Sequence, residues 1–246
     1  MAQTVQLSVP LPADEQLPVL LATPERDAGP GVVILHDASG PVSFYQELTT
    51  RLAARGYTTI LPDLFFRQGR PPDECPEAQW ARLAQLDKQQ SIRDAATAVD
   101  WLKAAEVVGS RIGVVGFSLG ATLALDLAAQ RADLAVASFY PFPEGQLSPD
   151  EKAPPAPIDL TDKMNGPIIA FWGEDDDVVP RTGIDRLAAA LQDHGVGYTR
   201  VIYAGVGHGF MADSRLGPDR ASSKAALDAW AATSAFLADH LAPSSG

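Results

Sequence analysis

The sequence is short of cysteine, of basic residues and of long apolar runs, and each shortage closes off a class of protein. One cysteine, Cys75, leaves no partner for an internal disulfide, which fits a reducing, cytoplasmic setting. Nineteen lysines and arginines stand against 31 aspartates and glutamates, for a formal net charge of -12. A surface of that sign repels phosphate, so nucleic acids and anionic membranes are not expected partners. No apolar run approaches the ~20 residues of a membrane span. The opening MAQTVQLSVPLPADEQ has neither the positive end nor the apolar stretch of a secretory signal. No internal repeat and no shift in composition divides the chain. Its 246 residues, 46% of them hydrophobic, therefore read as one domain, 1–246, with one sizeable core.

What is present is an alternation of strand and helix patterns. Val5, Leu7 and Val9 alternate with polar neighbours, as in a half-buried strand, and residues 17–23 are placed to pair back on it as a hairpin. Continuous apolar runs suited to strands buried on both faces lie at 31–36, 57–61, 112–115, Leu134–Phe139 and 168–172. Tyr198–Tyr203 is a weaker, later strand. Helical faces lie between and after them: Ile92, Ala95, Ala96, Val99 and Leu102; Ile184, Leu187, Ala188 and Leu191; Leu227, Trp230, Ser234 and Leu237. Ser222 or Ser223 is placed to cap the last of these helices. The pattern predicts an α/β fold, a mostly parallel sheet with helices on both faces and an antiparallel N-terminal hairpin. Two proline-rich segments, 67–77 and 141–157, read as irregular, and the second is long enough to be a functional loop or lid. Cys75 lies in the first of them and reads as a bystander, since no second cysteine exists to resolve its oxidation.

The chemistry concentrates in Gly116-Phe117-Ser118-Leu119-Gly120. This G-x-S-x-G follows a predicted strand and opens a predicted helix over 119–130, the context that a nucleophile elbow requires. A tight turn lifts the hydroxyl out at the carboxyl end of the sheet, and the helix N-terminus behind it offers free N–H groups to an oxyanion. A hydroxyl needs a base, and the base needs an orienting carboxylate, in the chain order Ser, acid, His. Three histidines follow Ser118. His194 and His240 fall at predicted helix ends, where they complement the helix dipole. His208 sits in a glycine-rich loop after a strand, where catalytic side chains collect. His36, at the end of an early strand, reads as structural. The acid lies in Trp172-Gly-Glu-Asp-Asp-Asp-Val-Val-Pro180, and spacing alone does not choose among Asp175, Asp176 and Asp177. That run lacks the spaced oxygen ligands and the glycine of a calcium loop, so no metal is expected there.

In these residues the chain resembles the dienelactone hydrolase family of α/β-hydrolases, over almost its whole length. The carriers are Val32-Val-Ile-Leu-His-Asp-Ala-Ser-Gly40, Ala53-Ala-Arg-Gly-Tyr57, Leu61-Pro-Asp-Leu-Phe-Phe-Arg67, Gly173-Glu-Asp-Asp-Asp-Val-Val-Pro180 and Gly207-His-Gly-Phe210, in order, with the elbow among them. The resemblance implies a triad of Ser118, Asp176 and His208, with the acid settled by the pattern G-x-x-D-x-x-V-P. It implies an oxyanion hole made by the N–H groups of Leu119 and Ala38. Asp37 falls where the family has a glutamate beside the nucleophile, and Tyr140 is placed to line an apolar pocket. Phe142 and Phe210 are further aromatics near that position. Two departures matter. The nucleophile is serine where the best-known members have cysteine, so thiol activation by the acid at position 37 need not carry over. Ala212 stands where members that bind an anionic dienelactone have arginine. The expectation is a serine esterase or lactonase acting on a neutral small molecule through an acyl-enzyme, without metal or other cofactor. Its rivals are an amidase or peptidase using the same triad, and a non-catalytic binding protein on the same fold.

Overall fold

The computed structural model describes residues 2–25, 28–69, 75–105, 107, 109–145, 155–213 and 221–242. The apolar runs become the strands of one sheet: β1 (Gln3–Pro10), β2 (Gln16–Thr23), β3 (Gly31–Leu35), β4 (Thr58–Pro62), β5 (Ile112–Phe117), β6 (Leu134–Phe139), β7 (Ile168–Gly173) and β8 (Tyr198–Tyr203). The helices of the described residues are α1 (Ser43–Ala54), α2 (Pro76–Leu83), α3 (Lys88–Ala104), α4 (Leu119–Ala128), α5 (Arg181–Asp193), α6 (Phe210–Asp213) and α7 (Ala221–Leu241). The spatial strand order is β1-β2-β4-β3-β5-β6-β7-β8. β1 pairs antiparallel with β2, and β2 antiparallel with β4; every other neighbouring pair is parallel.

Burial explains why the central strands are continuous apolar runs. Every residue of β3, β4, β5, β6 and β7 is buried, because helices cover both faces of the sheet. The exposed strand residues lie on the edge strands β1 and β8 and on β2. α3 turns Ile92, Ala95, Val99 and Leu102 inward, and α5 turns Ile184, Leu187 and Leu191 inward, at the spacing expected. α4 is buried at every position and packs on β5 and β6.

The last helix departs from expectation. Leu227, assigned to the core-facing stripe, is 73% exposed. The buried stripe runs through Ser223, Ala226, Ala229, Thr233, Leu237 and Leu241: it shares Leu237 with the expected one and lies one residue before it at Ala226, Ala229 and Thr233. Small side chains let α7 lie close to the sheet, where Leu237 and Leu241 close over Gly113 of β5. Bulk alone pointed to the wrong face. Ser222 and Ser223 lie inside the first turn of α7 and so do not cap it. In segment 67–77, residues 70–74 lie outside the described residues. Beyond them Pro76 takes the first helical position of α2, and Cys75 Sγ accepts the Ala78 N–H at 3.4 Å. Of segment 141–157, residues 146–154 lie outside the described residues. A 3-10 helix, Pro157–Lys163, follows.

The strand order reverses direction at β3. From β3 the chain runs outward through β4 to one side, and through β5 to β8 on the other. The crevice outside the carboxyl ends of the strands at such a switch point is where open α/β sheets place ligands. The loop after β3 and the turn after β5 meet there.

Candidate active site

At the end of β5 the chain turns on Ser118, held at φ 50° and ψ -109°. A non-glycine residue pays strain to sit there, and the packing that enforces it is specific. A Cβ on Gly116 would overlap the carbonyl of Gly120, and a Cβ on Gly120 would overlap the carbonyl of Leu35 in β3. The two glycines of the motif therefore bring strand, turn and helix together. Ser118 N–H donates to Phe139 O at 2.9 Å, which ties the turn to β6. Thr122, one helical turn on, donates its hydroxyl to Ser118 O at 3.1 Å.

Ser118 Oγ lies 3.0 Å from His208 Nε2, and His208 Nδ1 lies 2.9 Å from Asp176 Oδ2. The Asp176 carboxylate can only accept when ionised, so Nδ1 carries the imidazole proton and Nε2 accepts from the serine hydroxyl. The other oxygen of Asp176 accepts the N–H groups of Val178 and Val179, each at 2.9 Å. That pair of backbone donors locks the carboxylate, whose side chain is 1% exposed. Glu174, Asp175 and Asp177 are exposed. Of the carboxylates that spacing left open, Asp176 is the one that hydrogen-bonds His208. A Cβ on Gly173 would overlap the carbonyl of Val206, so glycine there lets the histidine loop close over the acid loop.

The loop after β3 is pinned at almost every polar group. His36, fully buried, accepts the Leu64 N–H on Nε2 at 3.1 Å and directs Nδ1 to Asp37 O at 2.8 Å. Burial holds the His36 pKa below its ordinary value, so it stays a neutral structural residue. Asp37 N–H donates to the Tyr45 hydroxyl at 3.3 Å, Ser39 N–H to Asp37 Oδ1 at 2.8 Å, and Gly40 N–H to Asp37 O at 3.2 Å. Burial pushes the Tyr45 phenol well above its usual range, so it remains a neutral hydroxyl here. Among the described residues, the Ala38 N–H alone in 37–40 has no acceptor. Leu119 is the first residue of α4, where an N–H has no partner inside its own helix. Ala38, Ser118 and His208 are half-buried, so solvent and small molecules reach them.

Asp37 and Tyr140 both lie beside these groups, each engaged locally. The Asp37 carboxylate turns back on its own loop, taking the N–H and hydroxyl of Ser39. Tyr140, at φ 46°, is 1% exposed, and its ring stands edge-on to His208 with centroids 4.8 Å apart. It packs edge-on against the imidazole. Phe142 packs on another side of the same ring at 5.5 Å, and its N–H donates to Thr122 Oγ1 at 3.0 Å. Phe210 is fully buried against Tyr140. Beneath the site, Phe117, Phe139 and Phe171 stack across β5, β6 and β7 at 4.8 and 4.7 Å.

Sequence reasoning passed over Thr122 and Arg82. Thr122 carried one signal, a hydroxyl four residues after the serine on a helix. Arg82 of α2 is 7% exposed and donates to Ala38 O at 2.8 Å. That contact spans 44 residues, and no local pattern announces it. His194 sits at the C-cap of α5 with Nδ1 3.1 Å from Thr161 Oγ1, and His240 meets Phe236 edge-on in the last turn of α7. Neither approaches Ser118. Among the described residues, no group of three or more His, Cys, Asp or Glu side chains is arranged to hold a metal ion.

Comparison with known proteins bears directly on this geometry. The family model described as "Dienelactone hydrolase family" matches residues 17–241. A carboxymethylenebutenolidase of Rhodococcus opacus is 33% identical over 233 residues, covering 94% of this chain and 89% of its own. A protein of Bradyrhizobium named as a probable 2-oxo-3-(5-oxofuran-2-ylidene)propanoate lactonase is 28% identical, covering 86% of this chain and 84% of its own. The crystal structure of a putative dienelactone hydrolase from Klebsiella pneumoniae superposes with a TM-score of 0.85 at 26% identity, covering 97% of this chain and 99% of that one.

Proposed function

The chain is an enzyme of the dienelactone hydrolase family, and from that premise we propose that it is a one-domain cytoplasmic serine hydrolase that cleaves neutral carboxylic esters or lactones through an acyl-enzyme. One observation supports this most: the line of hydrogen bonds from Ser118 Oγ through His208 to Asp176, half open to solvent beside two unclaimed amides.

In this mechanism His208 Nε2 takes the Ser118 proton as Oγ attacks the carbonyl carbon. The carbonyl oxygen becomes an oxyanion and accepts hydrogen bonds from Leu119 N–H and Ala38 N–H. Asp176 keeps the imidazole in the productive tautomer and stabilises the imidazolium. Collapse of the tetrahedral intermediate breaks the bond to the alkoxy oxygen, which leaves as an alcohol with the proton from Nε2. In a lactone that alcohol stays tethered to the acyl group. Water then gives its proton to His208, attacks the acyl-enzyme, and releases the acid with Ser118 restored. Every proton is returned, and the steps call on no metal or cofactor.

Preference for a neutral carbonyl compound follows from charge. The chain carries a net charge of -12, and Ala212 offers no cation four residues after His208. The relatives' names, a carboxymethylenebutenolidase and a lactonase, favour ester and lactone carbonyls over amides. The test is labelling with a fluorophosphonate probe, followed by mass mapping of the modified peptide. The proposal expects a single adduct on Ser118 and none in Ser118→Ala. An unreactive protein, or an adduct elsewhere, overturns it and favours a binding protein on the hydrolase fold.

A further inference from the structure

Arg82 is a buried cation that faces carbonyls. Its Nη2 donates to Ala38 O at 2.8 Å and its Nη1 reaches Gly69 O at 3.4 Å. The guanidinium lies 4.2 Å over the Phe65 ring, and Phe65 stacks on His36 at 5.4 Å. Asp37 and Asp63 act on it only at longer range, and among the described residues no carboxylate comes within ion-pair distance of it. Its Nε is buried without a hydrogen-bond partner. Keeping a buried charge with no carboxylate partner among the described residues is costly, and an apolar residue would pack α2 against Phe65 without that cost. The carbonyl it takes belongs to Ala38, whose own N–H is the one amide of 37–40 left without an acceptor.

We propose that Arg82 is the positioning residue of the oxyanion hole: it clamps the Ala38 carbonyl so that the Ala38 N–H stays aimed at the reacting carbonyl oxygen, and sets a permanent positive charge behind that donor. This rests on the serine hydrolase reading above. The advantage is felt where charge develops, in the transition state, and little in substrate binding. The hydrogen-bonded Asp37 side chain and Tyr45 hydroxyl fix the loop from one end, and Arg82 fixes it from the other.

The experiment compares wild type, Arg82→Lys, Arg82→Gln and Ser118→Ala on an aryl ester and on its thionoester, in which sulfur replaces the carbonyl oxygen. Sulfur accepts hydrogen bonds poorly, so a thionoester draws little on oxyanion donors. Arg82→Gln should lower kcat on the ester by about 10- to 100-fold with KM nearly unchanged, less than the loss from deleting a donor outright. Thionoester turnover should fall far less, and Arg82→Lys should lie between. Thermal unfolding identifies any variant that fails to fold, and Arg82→Lys, which keeps charge and a donor, then carries the same comparison. A folded Arg82 variant with wild-type kcat overturns the proposal. So do ester and thionoester rates that fall by the same factor, which is what a purely structural role gives. If Ser118→Ala is dead while Arg82→Gln is unimpaired, only this inference falls. If Ser118→Ala keeps its rate, the hydrolase reading falls and this one with it.

Discussion

Ser118 occupies a backbone conformation that costs of order 1–3 kcal/mol for a non-glycine residue, and its neighbours over-determine it. Thr122 is one of those neighbours. Fully buried, its hydroxyl donates to Ser118 O and accepts from Phe142 N–H, so one side chain braces both the Ser118 turn and the aromatic that packs on His208. Thr122→Val keeps the shape and removes both bonds. It should lower stability by about 1–3 kcal/mol, since the Phe142 N–H loses its acceptor, measured as a fall in the urea midpoint at constant slope. Turnover should fall by about tenfold or less, well short of the loss from removing a triad member. A midpoint unchanged from wild type contradicts this assignment. At this scale the sequence was unevenly legible. Ser118 and His208 stood out because glycines bracket them: Gly116 and Gly120 answer close approaches that any side chain would block, and Gly209 answers a positive φ of 75°. Asp176 was hidden among identical neighbours, since what singles it out is the pair of valine amides that fix its carboxylate. Arg82 was invisible, because its partner is a backbone carbonyl far away in the chain.

Between elements, the contact of α3 with α4 holds a second buried charge. Lys88 Nζ at the start of α3 lies 3.0 Å from Asp126 Oδ2 in α4, and Asp126 is 1% exposed there. Burial pushes the Asp126 carboxyl up to about 6, with Lys88 pulling it back down. An acid raised on folding stabilises the protein while protonated. That contribution is whole below its ordinary value near 3.8 and is lost as pH rises through about 6. Above that pH the ionised carboxylate depends on Lys88. Lys88→Met should therefore destabilise by about 3–5 kcal/mol at pH 8, by stranding a buried charge, and by clearly less at pH 5. Urea unfolding at the two pH values measures it. An equal loss at both contradicts the coupling, because the other bond of Lys88, to Pro155 O, does not titrate. Element positions were the most legible part of the sequence. Strands buried on both faces select apolar residues, and β3, β5 and β7 read that way throughout, while β6 admits Ser138, whose hydroxyl donates to Ala121 O. The face of α7 did not, because its approach to the sheet selects small residues over large ones, and Leu227 was left outside.

Across the whole molecule, the sheet assembles a site from four places distant in sequence. β3 supplies the loop carrying Ala38, β5 the elbow carrying Ser118, and the loops after β7 and β8 bring Asp176 and His208. The strand order puts β3 beside β5, and parallel register brings Leu35 opposite Gly116, so the Ala38 loop and the Ser118 turn emerge side by side. Alternating strand and helix patterns announced the parallel sheet. They did not announce which strands would be neighbours, because pairing is decided by packing over the full chain. The motif order carried that through family resemblance, and the matched region, residues 17–241, accordingly spans nearly all of the fold. Only a reaction that needs all of these strand ends in place tests the account as a whole. The direct measurement is hydrolysis of p-nitrophenyl esters from acetate to octanoate by wild type and Ser118→Ala, side by side. The account predicts turnover by wild type, with a chain-length optimum set by the acyl pocket, and loss of nearly all of that rate in the variant. A variant that retains the wild-type rate, or a wild type inert on every ester, would contradict it.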